Sequence, residues 1–580
     1  MKKIINQPQT VVAEMINGIV AAHPHLTADH KYRFIHKKEL DKNKVTLISG
    51  GGSGHEPAHA GFVGLGMLDA AVCGDVFASP SQIQVYQAIK ATASESGTLL
   101  IIKNYSGDVM NFKNAAALAE EDGIAVDYII VDDDIAVEDS LYTVGRRGVA
   151  GTVFVHKIAG AAAAAGKSLA EVKAIAEEVN ANVKSIGFAF SSCTIPAKGS
   201  PIFELGDLEM EYGVGIHGEP GIARRPIATA NDLAEDAVLS LIKECHLSKG
   251  NEIALMINGF GATPLMELYL LNSAVSKQLS DAGIITARTF VGNYMTSIDM
   301  AGASVTVLKL DETRKNYLSA TCLTPGFVVQ DPIDNAAFTA FVPDVAKEGT
   351  YTMETARDHG KIQGDALSLQ NMHYIIDCIA ASAIENEALF CEMDSVAGDG
   401  DFGTSLAKGF YQIKNEWAQL LKADDISAFL DTCALIVKEH CGGATGPIWG
   451  SAFRAAAKYT AGKKTLSVAD FAGMLDAMIK RIQDTGERSF GRGAIMGDKT
   501  LIDALVPCAA AWSACAAKGA GFKASFISGA VAAVEGAEKT KEFAAKMGRA
   551  GAVGERSLGH PDAGAYGVGV LFTAVAQSIQ

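Results

Sequence analysis

The chain holds 580 residues, 48% of them hydrophobic and 20% charged, enough for two or more domains with sizeable cores. Its formal charge of −16 argues against nucleic acid as a partner, because the phosphates would be repelled. Ten cysteines include no C-x-x-C pair, so neither a zinc ribbon nor a disulfide framework is indicated, and reduced, buried thiols are expected. No signal-peptide core follows Met1-Lys-Lys-Ile-Ile, and no apolar run reaches membrane-spanning length. The sequence therefore predicts a cytoplasmic protein with no membrane partner.

Residues 1–335 alternate strand-like and helix-like segments. Lys44 to Ser49 reads as a buried strand that stops at Gly50-Gly-Gly-Ser-Gly-His55. Asp69 to Cys73 is a second strand, and Pro80 to Ala93 a helix opening on a Ser-Pro-Ser cap. Thr98 to Lys103 is a third strand, ending in Asn104-Tyr-Ser-Gly-Asp108, and Val126 to Val131 a fourth. Short apolar strands separated by helices predict a parallel sheet covered on both faces. Ligands of such sheets sit at the carboxyl ends of strands, where His55 and Asp108 fall.

Gly166-Lys-Ser168 imitates the end of a phosphate-binding P-loop, but the pattern needs glycine where the chain has Ala161, and no strand precedes it. Ser168-Leu-Ala-Glu171 is instead a capping box opening the next helix. From Ile186 the strand pattern resumes in what should be a mixed sheet, with Glu252 to Ile257, Ile284 to Phe290 and Ser304 to Leu310. Leu208 to Ile216 alternates toward a Gly/Pro turn at His217. These residues divide into two α/β lobes near residue 185. Residues 336–365 lose the periodicity and read as a linker. Residues 366–580 carry roughly eight alanine-rich helical segments separated by glycine loops, a wholly helical domain.

Within that domain Asp394-Ser-Val-Ala-Gly-Asp399-Gly-Asp401 follows one apolar helical run (Tyr374 to Met393) and precedes another (Ser405 to Leu421). Little bulk and three carboxylates suit a hard cation such as Mg²⁺, which takes a few carboxylates plus waters and substrate phosphates. Most Asp-Gly clusters are solvated turns, so the weight comes from the company this one keeps. Cys441-Gly-Gly-Ala-Thr-Gly446, Gly497-Asp-Lys-Thr500 and Gly554 to Gly564 are further glycine loops at helix starts, accompanied by Arg549 and Arg556. Backbone N–H groups at helix N-termini attract phosphate, and together these loops point to a nucleotide site.

On these motifs the chain resembles the dihydroxyacetone kinase family in its single-chain ATP-dependent form, over nearly all of its length. The motifs are Gly50-Gly-Gly-Ser-Gly-His-Glu-Pro57, Lys103-Asn-Tyr-Ser-Gly-Asp108 and Gly215-Ile-His-Gly-Glu-Pro-Gly221 in the first domain. In the second they are Gly398-Asp-Gly-Asp-Phe-Gly403, Gly442-Gly-Ala-Thr-Gly446, Gly497-Asp-Lys-Thr500 and Gly554-Glu-Arg-Ser-Leu-Gly-His-Pro-Asp562. The resemblance implies a two-lobed α/β substrate domain followed by an antiparallel barrel of eight helices that binds nucleotide. It implies ATP-dependent phosphorylation of dihydroxyacetone, and of glyceraldehyde beside it, a phosphotransferase reaction with an alcohol group as acceptor.

The roles it implies are specific. His217 adds to the substrate carbonyl as a covalent hemiaminal, Asp108 takes the proton of the attacking hydroxyl, and His55 orients the substrate. Gly52, Ser53, Gly54 and Lys103 line the pocket. Asp394, Asp399 and Asp401 bind two Mg²⁺ ions. Phe402, Gly403, Thr404, Ser405, Ala444, Thr445, Thr500, Leu501 and Arg549 surround the ATP, with Asp562, Ala563 and Gly564 closing over its base or ribose. Two departures bear on base preference: Ala563 stands where the family often has proline, and Gly551-Ala552 where it often has a Ser-Tyr pair. The family also implies a homodimer. Relatives act on four-carbon ketoses such as erythrulose, or cleave FAD to a cyclic product with Mn²⁺ at the same aspartates. A carbonyl-ligand sensor is the alternative outside enzymes, and the three aspartates argue against it. A donor other than ATP, fed by a phosphotransferase system, is disfavoured by the fusion of both domains.

Overall fold

The computed structural model describes residues 2–138, 143–219, 221–331, 337–339, 351–551 and 553–580, with the side chains of Arg549 and Ala550 left aside. The chain divides into two compact units, Met1–Phe341 and Val342–Gln580.

The first unit contains two six-stranded sheets. One is built from β1 (Leu26–Asp29), β2 (Phe34–Lys37), β3 (Thr46–Ser53), β4 (Ala70–Val76), β5 (Thr98–Lys103) and β6 (Val126–Val131), in the order β1-β2-β4-β3-β5-β6. The pairs β3–β4, β3–β5 and β5–β6 are parallel, as the apolar runs led one to expect. The antiparallel hairpin β1–β2 at the edge was not expected. Its strands have only four residues each, too few for a period of two to stand out. Helices Gln82–Thr92 and Ser106–Glu121 cover one face, burying Ile48, Val72, Leu100 and Phe112 together. Helices Thr152–Ala164 and Leu169–Asn182 cover the other. Gly166 between them is left-handed at φ +76°, and Ser168 and Glu171 form the capping box. This segment joins two helices and is no phosphate loop.

The second sheet uses β7 (Val183–Ala189), β8 (Glu209–Tyr212), β9 (Ala223–Pro226), β10 (Glu252–Gly259), β11 (Ile285–Gly292) and β12 (Gly302–Lys309). It is ordered β11-β10-β12-β7-β8-β9 and is mixed, since only β10–β11 is parallel. The loop after β11 docks on the end of β3: Ile298 N donates to Gly54 O at 2.8 Å and Thr296 N to His55 O at 3.1 Å. That join brings the two sheets to one site.

In the second unit, eight helices of fourteen residues or more occur among the described residues. They are Leu369–Glu385, Phe402–Asn415, Ile426–His440, Thr445–Thr460, Val468–Phe490, Ile502–Ala517, Phe522–Lys539 and Ala563–Ser578. Each packs on the next and the last on the first, so the ring closes into a barrel around Met372, Phe410, Phe453, Phe471 and Trp512. The run read as one helix from Tyr374 to Met393 breaks at Asn386, whose side-chain amide donates to Ser382 O at 2.8 Å. A short helix, Glu387–Ser395, then carries Asp394.

Of the segment read as a linker, residues 336 and 340–350 lie outside the described residues. Residues 354 and 355, within the remainder of that segment, pack on the helical unit. The N–H groups of Glu354 and Thr355 each donate to the buried Asp377 carboxylate at 2.7 Å, and Asp377 is also paired with Lys414. No helix among the described residues is long and apolar enough to cross a membrane.

Candidate active site

Each unit carries one constellation. In the first, β3 ends in the glycine run that delivers His55, which has no exposed surface. His55 Nδ1 lies 2.8 Å from Thr296 O. A carbonyl can only accept, so Nδ1 carries the proton and, in the neutral ring, Nε2 carries the lone pair. The ring stacks on Phe77 with centroids 5.0 Å apart. His55 Nε2 stands 3.1 Å from His217 Nε2, and the two rings meet edge to face.

His217 lies in a turn held from beneath. Its N–H donates to Glu219 Oε2 at 2.8 Å, and Glu219 Oε1 lies 3.5 Å from Arg147 Nη1 and from the Tyr105 hydroxyl. Arg147, wholly buried, donates to Asp134 Oδ2 and to Gly213 O, each at 2.7 Å. A side chain at Gly215 would collide with Glu219 and crowd Arg147, so only glycine leaves room for this pair. Tyr105 packs edge-on against the His217 ring at 4.4 Å.

Asp108 sits in the first turn of Ser106–Glu121, where the helix dipole favours a carboxylate. Burial raises its pKa, while Lys103 and a hydrogen bond from Ser79 oppose the rise. Burial depresses both His55 and His217 well below the ordinary histidine value, and the nearby Lys103 charge adds to the effect. Both imidazoles are therefore neutral at neutral pH. Lys103 itself is fully buried, and its Nζ has no hydrogen-bond partner among the described residues. Such an orphan calls for an explanation.

A cavity of about 630 Å³ opens between these groups, lined by Gly52, Phe77, Tyr105, Asp108, Lys198 and His217 among others. Of the residues the sequence singled out, Gly52, Asp108 and His217 face it. Ser53 donates its hydroxyl to Gly74 O at 2.8 Å, and Gly54 packs against Phe77 and Ile298. His55 meets the site through His217, and Lys103 lies beside Asp108 across Gly51. Phe77, Glu219 and Arg147 were missed. Tyr105 and Glu219 fall inside quoted motifs, so the motif marked them without stating a task. Arg147 is far away in sequence and gave no signal.

In the helical unit a cavity of about 220 Å³ is lined by residues from four helix starts, at Phe402, Thr445, Leu501 and Ala563. Four N-terminal dipoles around one space make it a natural seat for phosphates. Asp394, Asp401, Phe402, Ala444, Thr445, Thr500, Leu501, Asp562, Ala563 and Gly564 line it. Ligand oxygens of Asp394, Asp399 and Asp401 all lie within 4.8 Å of one another. Asp394 Oδ2 accepts from Gly400 N at 3.0 Å, which folds the loop around that carboxylate. Gly403, Thr404 and Ser405 form the first turn of the helix behind Phe402 and do not reach the cavity. Arg549 starts in a four-residue helix, Gly548–Gly551, and its side chain, like Ala552, lies outside the described residues. Burial pushes Asp562 up to about 7 although it caps Ala563–Ser578 through Ala565 N at 2.7 Å. Lys499, also on the cavity wall, was missed.

With the geometry in hand, comparison with known proteins is informative. Residues 17–326 match the Dak1 domain and residues 396–577 the DAK2 domain. A D-erythrulose kinase of Mycolicibacterium smegmatis is 32% identical, covering 100% of this chain and 99% of that protein. The chain belongs to the dihydroxyacetone kinase family. This kinase is a phosphotransferase with an alcohol group as acceptor. The human triokinase/FMN cyclase is 32% identical over 100% of the chain and 99% of that protein. The dihydroxyacetone-binding subunit of PTS-dependent dihydroxyacetone kinase 1 from Listeria innocua is 54% identical over 317 residues, covering 54% of this chain and 96% of that subunit. Among solved structures, the dihydroxyacetone kinase of C. freundii in complex with AMP-PNP and Mg²⁺ matches with a TM-score of 0.61 and 30% identity. That match covers 100% of this chain and 99% of the other.

Proposed function

We propose that this kinase phosphorylates dihydroxyacetone, and glyceraldehyde beside it, with ATP as donor and through a covalent hemiaminal on His217 Nε2. One observation carries the reading: the neutral His217 imidazole stands nitrogen to nitrogen with that of His55 at 3.1 Å, and lies at the wall of a cavity that also holds a buried carboxylate. A neutral imidazole is a nucleophile and a protonated one is not. Because His55 keeps its proton on Nδ1, donated to Thr296 O, its Nε2 can accept the His217 Nε2 proton as that nitrogen adds to the carbonyl carbon. The same proton then passes to the new hydroxyl, so the addition balances with no leaving group. Asp108 takes the proton of the terminal hydroxyl as that oxygen attacks phosphorus, a task worth about 10²–10⁴ in rate. A substrate hydroxyl on Lys103 Nζ would satisfy the orphaned ammonium.

The donor set of Asp394, Asp399 and Asp401 fits Mg²⁺, a hard cation that prefers carboxylate oxygen. Two ions held there would supply neutralisation of phosphate charge. The residues at the four helix starts position the phosphates with their N–H groups, and Asp562 to Gly564 close the base or ribose side. The division into 1–335, 336–365 and 366–580, the homodimer and the cytoplasmic location belong to the same proposal. The PTS-dependent subunit covers only 54% of this chain, so its resemblance says nothing about the donor.

One observation favours a second reading, a four-carbon ketose: a cavity of about 630 Å³ leaves space beyond three carbons. A single extra carbon is worth only about 1–3 kcal/mol of discrimination. Turnover of dihydroxyacetone, glyceraldehyde, D- and L-erythrulose, FAD and glycerol by the purified enzyme with ATP and Mg²⁺ tests both. Dihydroxyacetone should give the highest kcat/KM and glycerol, which has no carbonyl, no turnover. Glycerol phosphorylated as well as the ketose would refute the covalent reading.

A further inference from the structure

Lys499 lies in the Gly497-Asp-Lys-Thr500 loop on the wall of the helical-unit cavity, and its residue is only 2% exposed. Its backbone is left-handed at φ +62°, a conformation that side chains other than glycine seldom adopt. The loop is pinned on both sides. Asp503 accepts from Gly497 N at 2.5 Å and from Thr500 N at 2.9 Å, and Lys546 N donates to Asp498 O at 3.1 Å. An outlier held this firmly calls for a reason beyond the loop itself.

The side chain supplies one. Lys499 Nζ lies 2.8 Å from Thr540 O, 3.2 Å from Phe543 O, 2.6 Å from Ser557 O and 2.8 Å from His560 O. Three N–H groups are thus shared among four carbonyls, all from one stretch of chain, in which the described helical segments are no longer than four residues. Irregular backbone that turns its carbonyls inward must find donors for them. Here they converge on one ammonium, much as carbonyl rings replace the hydration shell of a monovalent cation in ion-selective pores. The same stretch supplies Met547, Gly548, Ser557, His560, Pro561 and Asp562 to the cavity wall. Thr540 also accepts from Asp562 N through its hydroxyl at 2.8 Å, which ties the caged segment to the start of Ala563–Ser578.

We propose that Lys499 is a positioning residue for the nucleotide: its ammonium is a built-in monovalent cation that gathers Thr540, Phe543, Ser557 and His560 behind the wall of the site. The inference rests on the reading that this cavity binds nucleotide. Lys499 need not touch the ligand. Removing the ammonium leaves inward carbonyls that repel one another, and a small cation diffusing in can take its place.

The test is equilibrium binding of a non-hydrolysable ATP analogue with Mg²⁺ to the full chain, for wild type and Lys499→Ala, in buffers of tetramethylammonium, potassium or ammonium chloride. Wild type should bind equally in all three. Lys499→Ala should bind about 10–100-fold more weakly in tetramethylammonium, as expected for one or two unsatisfied buried groups. Ammonium or potassium should recover most of that loss, with KM for the ketose unchanged throughout. A folded Lys499→Ala that binds like wild type, or that stays weak in every salt, overturns the proposal. Wild type that fails to bind the analogue overturns the nucleotide reading, and this inference with it. If Lys499→Ala does not fold, Lys499→Gln, which keeps two N–H donors, takes its place. Failure of both variants to fold, even when prepared in ammonium, would show a fold-wide staple and end the positioning claim.

Discussion

The two halves of this kinase solve opposite electrostatic problems. In the first unit the groups around the nucleophile are buried: His55, Lys103, Asp108 and Arg147 are at most 4% exposed, while His217 itself is partly exposed at the cavity wall. His55 is held by the distant Thr296 carbonyl and Glu219, beneath His217, by the distant Arg147, and the imidazoles are kept neutral by removal from water. In the second unit Asp399 and Asp401 are exposed and Asp394 is half-buried, while the cavity is ringed by helix starts, whose backbone N–H groups suit phosphate. A nucleophile must lose its proton and keep its orientation, which burial and rigid packing supply. A highly charged ligand needs charge and dipoles reachable from solvent, which loops between helices supply. The difference teaches that side-chain identity governs the first site and backbone geometry much of the second.

Substitutions can break that contrast. The largest effect should come from Asp399→Ala, which should lower metal-dependent turnover to background while leaving ketose binding intact, as read by a coupled kinase assay and calorimetry. Next, His217→Ala should cost about 10³-fold or more in kcat/KM for dihydroxyacetone through loss of covalent positioning, with affinity for an ATP analogue unchanged. Loss of nucleotide affinity in that variant would contradict the separation of roles. Asp108→Asn should cost about 10²-fold in kcat and retain the adduct, because it removes the base and leaves the nucleophile.

The pH profile sharpens the comparison. A pKa depressed by burial means that His217 and His55 stay neutral as pH falls through the ordinary histidine value of 6.5. The acid limb of kcat/KM should therefore lie well below pH 6.5, with no inflection near that value. An inflection there that is absent from ATP-analogue binding, where Asp562, pushed up to about 7, would show, would mean solvated imidazoles. The smallest effect is expected for Glu219→Gln, which keeps the shape but weakens the pairing with Arg147. It should raise KM for the ketose about tenfold and leave nucleotide affinity alone.

Much of this was legible because the relevant signals are local. The glycine runs ending β3 and preceding His217 announce turns, the Ser168–Glu171 box announces a helix start, and the three aspartates fall within eight residues. What was not legible is non-local or lacks periodicity. The β1–β2 hairpin is too short to show a pattern, and barrel closure depends on the last helix finding the first. The break at Asn386 falls in Glu385-Asn386-Glu387, three polar residues that read equally well as the exposed turn of one continuous helix. Arg147 becomes important only once folding sets it under Glu219, 72 residues later in the chain. Lys499, between Asp498 and Thr500 in a glycine loop, gives no sign of its task, since nothing nearby in sequence shows that the carbonyls of Thr540, Phe543, Ser557 and His560 converge on it.

The central claim is that the ketone is held as a tetrahedral adduct by His217. Carbon-13 NMR of the enzyme with dihydroxyacetone labelled at its carbonyl carbon tests it most directly. The account predicts a bound signal in the tetrahedral range, which disappears in His217→Ala. A bound signal that remains in the carbonyl range, from an enzyme that turns over normally, would contradict it.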